Sequence, residues 1–274
     1  DPMRIAQLTD THIKAPGTLA YGRVDTAQYL EAAVAHINGM ASDLDAVFIT
    51  GDLVDGGKAA EYAVLYSILS GLTVPFYLAC GNHDDRAGIR QAFPDPRYDD
   101  DPKAPLHYVI EWKNLRGIVL DSSVPGASHG QFCESRLAWL EDTLKARPDI
   151  PVMIFMHHPP FITGIHHMDV QNLRQSERFF EVLVKAGTVR HIACGHVHRA
   201  CETVMNGIGV SIAPSPAHAV SLDFDPNGQP GYTLEPPLLR VFNISETGNI
   251  VSHLSPIGQF DGPHPFFNSD GTFL

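Results

Sequence analysis

Five short stretches gather the side chains that can hold a cation or move a proton. They are Asp10-Thr11-His12, Gly51-Asp52, Gly81-Asn82-His83-Asp84, His157-His158 and Gly195-His196-Val197-His198. Carboxylate, carboxamide and imidazole are ligands for divalent metals, and none of the five stretches contains a cysteine. That donor set suits Fe, Mn, Zn or Co better than Mg or Ca. In extended backbone, side chains at i and i+2 point the same way. The spacing therefore expects Asp10 to chelate with His12, and His196 with His198. It expects neighbours such as His157 and His158, or Asn82 and His83, to diverge. Glycines at 51, 81 and 195 suit turns where the backbone approaches a ligand closely. One histidine among 15 would carry little, so the inference rests on Asp, Asn and His recurring at five places in order.

Each stretch closes an apolar run. The runs are residues 5–8, 45–52, 76–84, 152–160 and 191–198, and a sixth spans 117–122. Short, nearly continuous apolar runs are strands buried on both faces, and α/β sheets collect ligands at the carboxyl ends of their strands. Helical stripes lie between the runs: Leu30, Val34, Ile37 and Met40 after a cap at Asp25; Tyr62, Leu65, Tyr66 and Leu69; Leu137, Leu140 and Leu144; Phe179, Phe180 and Leu183. Alternating strands and helices define an α/β layered fold. Past Pro214, residues 210–213, 239–244 and 250–254 read as strands, and 224–237 as a loop rich in Pro, Gly and Asp. The expected organisation is one catalytic domain over 1–254 with small cap loops. A tail over 255–274, bearing Phe266, Phe267 and Phe273, would pack on the body or on a partner subunit.

Composition narrows the partners. The chain has 274 residues, with 44% hydrophobic and 18% charged, which is ample for a core. Its formal charge of −12 argues against a nucleic-acid polymer or an anionic membrane as partner, because both are held by basic patches. An anionic substrate would then need positive charge from bound metal. No run is long and apolar enough to span a membrane. No signal-peptide pattern precedes the first strand, and Asp1-Pro2 reads as an addition ahead of a start at Met3. Cys80, Cys133, Cys194 and Cys201 form no paired motif, so they read as free thiols in a cytoplasmic protein.

The five blocks resemble the calcineurin-like metallophosphoesterases, whose pattern runs D-x-H, G-D, G-N-H-D/E, H and G-H-x-H. Asn82 to Asp85, Met156 to Pro160 and Met168-Asp169 further resemble the branch of glycerophosphodiesterases and class III cyclic-nucleotide phosphodiesterases. The resemblance implies a four-layer α/β/β/α sandwich with the metal site at strand carboxyl ends. It implies one divalent metal on Asp10, His12, Asp52 and His198, and a second on Asp52, Asn82, His157 and His196, with Asp52 bridging. The implied reaction is hydrolysis of a small phosphodiester by a metal-bound hydroxide. His83 would position substrate or protonate the leaving alkoxide, with Asp84 orienting it or capping the next helix. His218 would lie on the substrate side, and His158 behind the ligands. Dimers or larger homo-oligomers are common in the branch. A phosphomonoesterase or nucleotidase on the same scaffold is the alternative. A non-catalytic scaffold is weighed against by the filled ligand positions.

Overall fold

The computed structural model describes residues 2–274; Asp1, half of the expected Asp1-Pro2 addition, lies outside them. Eleven strands build two main sheets. In chain order they are β1 (Met3–Leu8), β2 (Ala46–Thr50), β3 (Phe76–Ala79), β4 (Tyr108–Glu111), β5 (Arg116–Val119), β6 (Val152–Phe155), β7 (Val189–Cys194), β8 (Cys201–Met205), β9 (Ile208–Ile212), β10 (Leu238–Ile244) and β11 (Ile250–Pro256). One sheet has the order β11-β10-β1-β2-β3, the other β8-β9-β7-β6-β5-β4. Strands β1, β2 and β3 are parallel, as are β5, β6, β7 and β9, while β10, β11, β4 and β8 pair antiparallel. Every residue of β2 and of β6 is buried, because apolar layers cover both faces.

The layers follow from three apolar clusters. Leu8, Val47 and Ile49 pack against α1 (Thr26–Gly39) and α2 (Ala59–Leu69) on one outer face. Ile118, Ile154 and Ile192 pack against α4 (Glu134–Ala146) and α5 (Ser176–Ala186) on the other; α3 (Arg86–Ala92) is a short helix after β3. Between the sheets lie Ile5, Phe48, Phe155 and Phe242, with the rings of Phe48 and Phe155 stacked 3.7 Å apart. The result is the four-layer α/β/β/α sandwich. The buried Gln7 amide ties the sheets together, donating to Thr50 Oγ1 at 2.9 Å and to the Cys194 carbonyl at 3.0 Å.

Some local expectations change. Asp25 caps α1 as expected, accepting from Gln28 N at 3.1 Å, but Met40 lies beyond the last turn. On α2, Tyr62, Leu65 and Leu69 are buried, whereas Tyr66 is 54% exposed and leaves the stripe. Strands β4 and β8 were not expected. They are antiparallel edges, and β8 alternates half-buried with exposed residues, a weaker pattern than a doubly covered strand. The 224–237 loop contains a two-residue strand, Tyr232–Thr233, paired with Ala219–Val220. After Ile257 every residue to Leu274 is exposed, and the tail folds on itself through a Phe267–Phe273 bridge.

Candidate metal centre

The polar blocks sit at the carboxyl ends of β1, β2, β3, β6 and β7 and meet at one edge of the two sheets. The backbone there is not extended. Asp10 (φ 53°), His12 (43°), Asp52 (49°), His196 (75°) and His198 (62°) all lie in the left-handed region. Alternation along a strand is therefore not what aligns Asp10 with His12 or His196 with His198; tight left-handed turns do it. Such conformations cost on the order of 1–3 kcal/mol each and gather where a site over-determines them. The turns also need close packing. A Cβ on Gly51, whose φ is 88°, would lie 2.6 Å from His157 Nδ1, and one on Gly81 would strike the Asp52 carboxylate.

Three imidazoles are oriented by what they donate to. His12 Nδ1 faces Asp55 Oδ1 at 3.1 Å, His157 Nδ1 faces the Thr50 carbonyl at 2.7 Å, and His198 Nδ1 faces the His218 carbonyl at 3.0 Å. Each partner is acceptor-only, so each Nδ1 carries a proton and each Nε2 is the atom left to bind a cation, whether a proton or a metal. The Nε2 atoms converge on two carboxylates. His157 Nε2 lies 3.1 Å from Asp52 Oδ2, His198 Nε2 lies 3.2 Å from Asp10 Oδ1, and His12 Nε2 lies 3.7 and 3.6 Å from the two acids. His12 Nε2 and His198 Nε2 are 3.1 Å apart, as are two donors turned toward one cation. Asp10 Oδ1, Asn82 Oδ1 and His196 Nε2 are buried without a hydrogen-bond partner. Buried polar atoms left open in this way fit a metal-binding cluster.

The electrostatics agree. Burial works against ionised Asp10, yet His198 and His157 hold its carboxyl well below the usual range. Asp52 is likewise held low against burial, chiefly by His157. Burial alone would lower His12, but hydrogen bonds to Asp10 and Asp55 raise it to about 10. His157 rises to about 9 against burial, through Asp52 and Asp10. The two carboxylates thus make a pocket that binds positive charge.

His83 projects beside this cluster, 40% exposed, with its ring edge-on to His12 at 4.8 Å. Asp84 does not orient it, nor does it cap α3. The Asp84 carboxylate accepts from Gly81 N (2.8 Å), Val54 N (3.1 Å) and Leu53 N (3.3 Å), clasping the β2 and β3 turns together. His83 Nδ1 instead donates to the Asp55 carbonyl at 2.6 Å, and Asp85 caps α3 through Gly88 N. His218 is buried 4.6 Å from His198, ring to ring, with neither nitrogen partnered. Burial, then the neighbouring His198 and His12, lower it to about 3. His158 packs 4.6 Å from the His196 ring, but both its nitrogens are engaged, by Ser122 Oγ and the Ser128 carbonyl. Asp55 carries little signal in the sequence: it stands three residues after Asp52, behind Leu53 and Val54.

A phosphoesterase class follows from this fold with an Asp/His cluster at its strand ends. The calcineurin-like phosphoesterase family model matches residues 3–200, and the chain belongs to that family. It is 41% identical over 273 residues to a probable glycerophosphodiester phosphodiesterase GpdQ of Arcobacter nitrofigilis, covering 99% of this chain and 100% of that one. It is 36% identical to a probable cyclic nucleotide phosphodiesterase of Rhodopseudomonas palustris, covering 95% and 94%. A dimetal phosphatase from Danio rerio shares the fold with a TM-score of 0.66 at 15% identity, covering 92% and 99%. No helix among the described residues is long and apolar enough to cross a membrane.

Proposed function

We propose that this chain is a dinuclear-metal phosphodiesterase acting on small diesters. Asp10, His12, Asp52 and His198 would hold one divalent ion, and Asp52, Asn82, His157 and His196 the other, with Asp52 shared. The observation that carries the reading is the set of three Nδ1 anchors on His12, His157 and His198, which turn three Nε2 atoms toward two carboxylates. The mixed oxygen and nitrogen donors suit Fe, Mn, Zn or Co. Bound there, the two ions supply Lewis acidity toward phosphate oxygens and an activated water.

The chain's own residues do the rest. His83 is anchored through Nδ1, and as the imidazolium it would carry on Nε2 the proton that a leaving alkoxide takes up. His218 offers unpartnered ring nitrogens to a substrate oxygen. Asp84 holds the β2 and β3 turns in register, which keeps Asp52 and Asn82 together. Relatives named for glycerophosphodiesters and for cyclic nucleotides support a small diester as substrate.

The test is metal content and turnover together. Purified protein should carry about two ions per chain, and Asp52→Ala should lose both metal and hydrolysis of bis(p-nitrophenyl) phosphate. Turnover by Asp52→Ala at the parent rate overturns the assignment. A kcat/KM that favours p-nitrophenyl phosphate over the diester would establish the monoesterase alternative.

The catalytic unit would span 1–254. The tail over 255–274 would pack against a second copy from Gly258 onward, because β11 holds Ser255 and Pro256, Ile257 is buried, and Phe260, Phe266, Phe267 and Phe273 are 49–80% exposed on the single chain. Sedimentation equilibrium of the full chain checks this, and a monomer at micromolar concentration would refute it. A cytoplasmic home is supported by four cysteines that are all free thiols; recovery of a disulfide form from cells would count against it.

A further inference from the structure

Outward from His218 stand two tyrosines with no part in the chemistry described so far. His218 lies 5.7 Å from His12, ring to ring, and Tyr21 meets His218 edge-on at 5.2 Å. Tyr21 in turn stacks on Tyr232 at 4.8 Å with 25° between the planes. The rings thus form a row leading outward from a metal-facing histidine. Tyr232 also meets His218 edge-on at 5.5 Å, so Tyr21 is braced from below and from one side.

Tyr21 itself is 59% exposed, the most open ring of the row. Its backbone is left-handed, with φ at 54°. A bulky residue in that region is strained, and such strain persists where the surrounding structure dictates it. Here the turn is fixed by the paired Ala20 and Val24 backbones, with N–H to carbonyl distances of 2.9 Å in both directions. Burial and then the carboxylates of Asp55, Asp52 and Asp10 raise the Tyr21 phenol. A flat, largely exposed ring braced by a second ring one histidine away from the metal cluster can act as a stacking platform.

We propose that Tyr21, backed by Tyr232, is the plate on which the nucleobase of a nucleotide diester lies while its phosphate occupies the metal centre. This deepens the phosphodiesterase reading and rests on it. A glycerol-based diester has no π face to offer and would gain little from the plate. A base stacked on Tyr21 would gain roughly tenfold or more in affinity, since base–aromatic stacking is sequence-tolerant and acts through the π face alone.

The test compares the products AMP and glycerol 3-phosphate as probes, binding each to the metal-loaded full chain by calorimetry. Parent, Tyr21→Ala and Tyr21→Phe are measured, and their thermal midpoints are taken to confirm folding. The expected result is AMP affinity weakened about tenfold in Tyr21→Ala and within twofold of the parent in Tyr21→Phe. Glycerol 3-phosphate should bind all three alike. Unchanged AMP affinity in Tyr21→Ala, or equal losses for both probes, overturns the plate and leaves the metal centre standing. A parent that binds neither probe overturns the metal centre and the plate together.

Discussion

His12 keeps its Nε2 turned to Asp10 and Asp52 because Asp55 receives its Nδ1–H. Asp55 also takes Lys14 Nζ at 2.9 Å and, through its carbonyl, the His83 ring. Removing a carboxylate that orients a ligand imidazole typically weakens metal binding about 10–100-fold. Asp55→Asn should therefore lower metal affinity on that scale, read by competition with a chelating dye. Away from the cleft, His191 is lowered to about 4 by burial and by nearby Arg240, with Nε2 on Ser211 Oγ at 2.7 Å. Its unfolded value is near 6.5. Between those values the unfolded chain binds more protons, so stability rises with pH across that window and is lost as pH falls through it. His191→Gln should flatten the urea-midpoint profile from pH 6.5 to 4 relative to the parent, by on the order of 2 kcal/mol.

At the scale of elements, the site depends on strands that stop and turn at fixed places. Gly51→Ala would set a Cβ 2.6 Å from His157 Nδ1 at a φ of 88°. Metal content by atomic absorption should fall, and stability should drop by about 1–3 kcal/mol. Phe48→Ala would remove a fully buried ring stacked on Phe155 and should cost about 3–5 kcal/mol in chemical denaturation. The doubly covered strands were legible because apolar residues run unbroken through β2 and β6, and the blocks closing them carried the candidate ligands. Edge strands such as β8 were not, since Glu202 and Thr203 break the apolar run and Glu202 and Val204 face solvent. The left-handed turns were also illegible. Nothing in Asp10-Thr11-His12 distinguishes two left-handed residues from a strand continuing outward; contacts with the β2 turn impose them, such as His12 N donating to the Asp52 carbonyl at 3.0 Å. The clasp made by Asp84 is illegible for a related reason, since its three N–H partners come from two separate turns.

At the scale of the molecule, a net charge of −12 surrounds a site whose proposed substrate is itself an anion. Local cations must outweigh that background at short range, which they can do within a Debye length of about 8 Å at physiological salt. Turnover of a diester should therefore vanish with the metal, not merely decline with rising salt; dialysis against chelator followed by re-addition of Mn checks this. Stability should follow too, because a ligand at about 100 times its dissociation constant adds about 2.7 kcal/mol to the folded state.

The two carboxylates arise from strands of one sheet, and His157, His196 and His198 from strands of the other. Ions shared among them would therefore rivet the sandwich along its open rim. Chelation should speed amide exchange at residues 51–53, 157–158 and 195–198, while the Phe48–Phe155 interior stays closed.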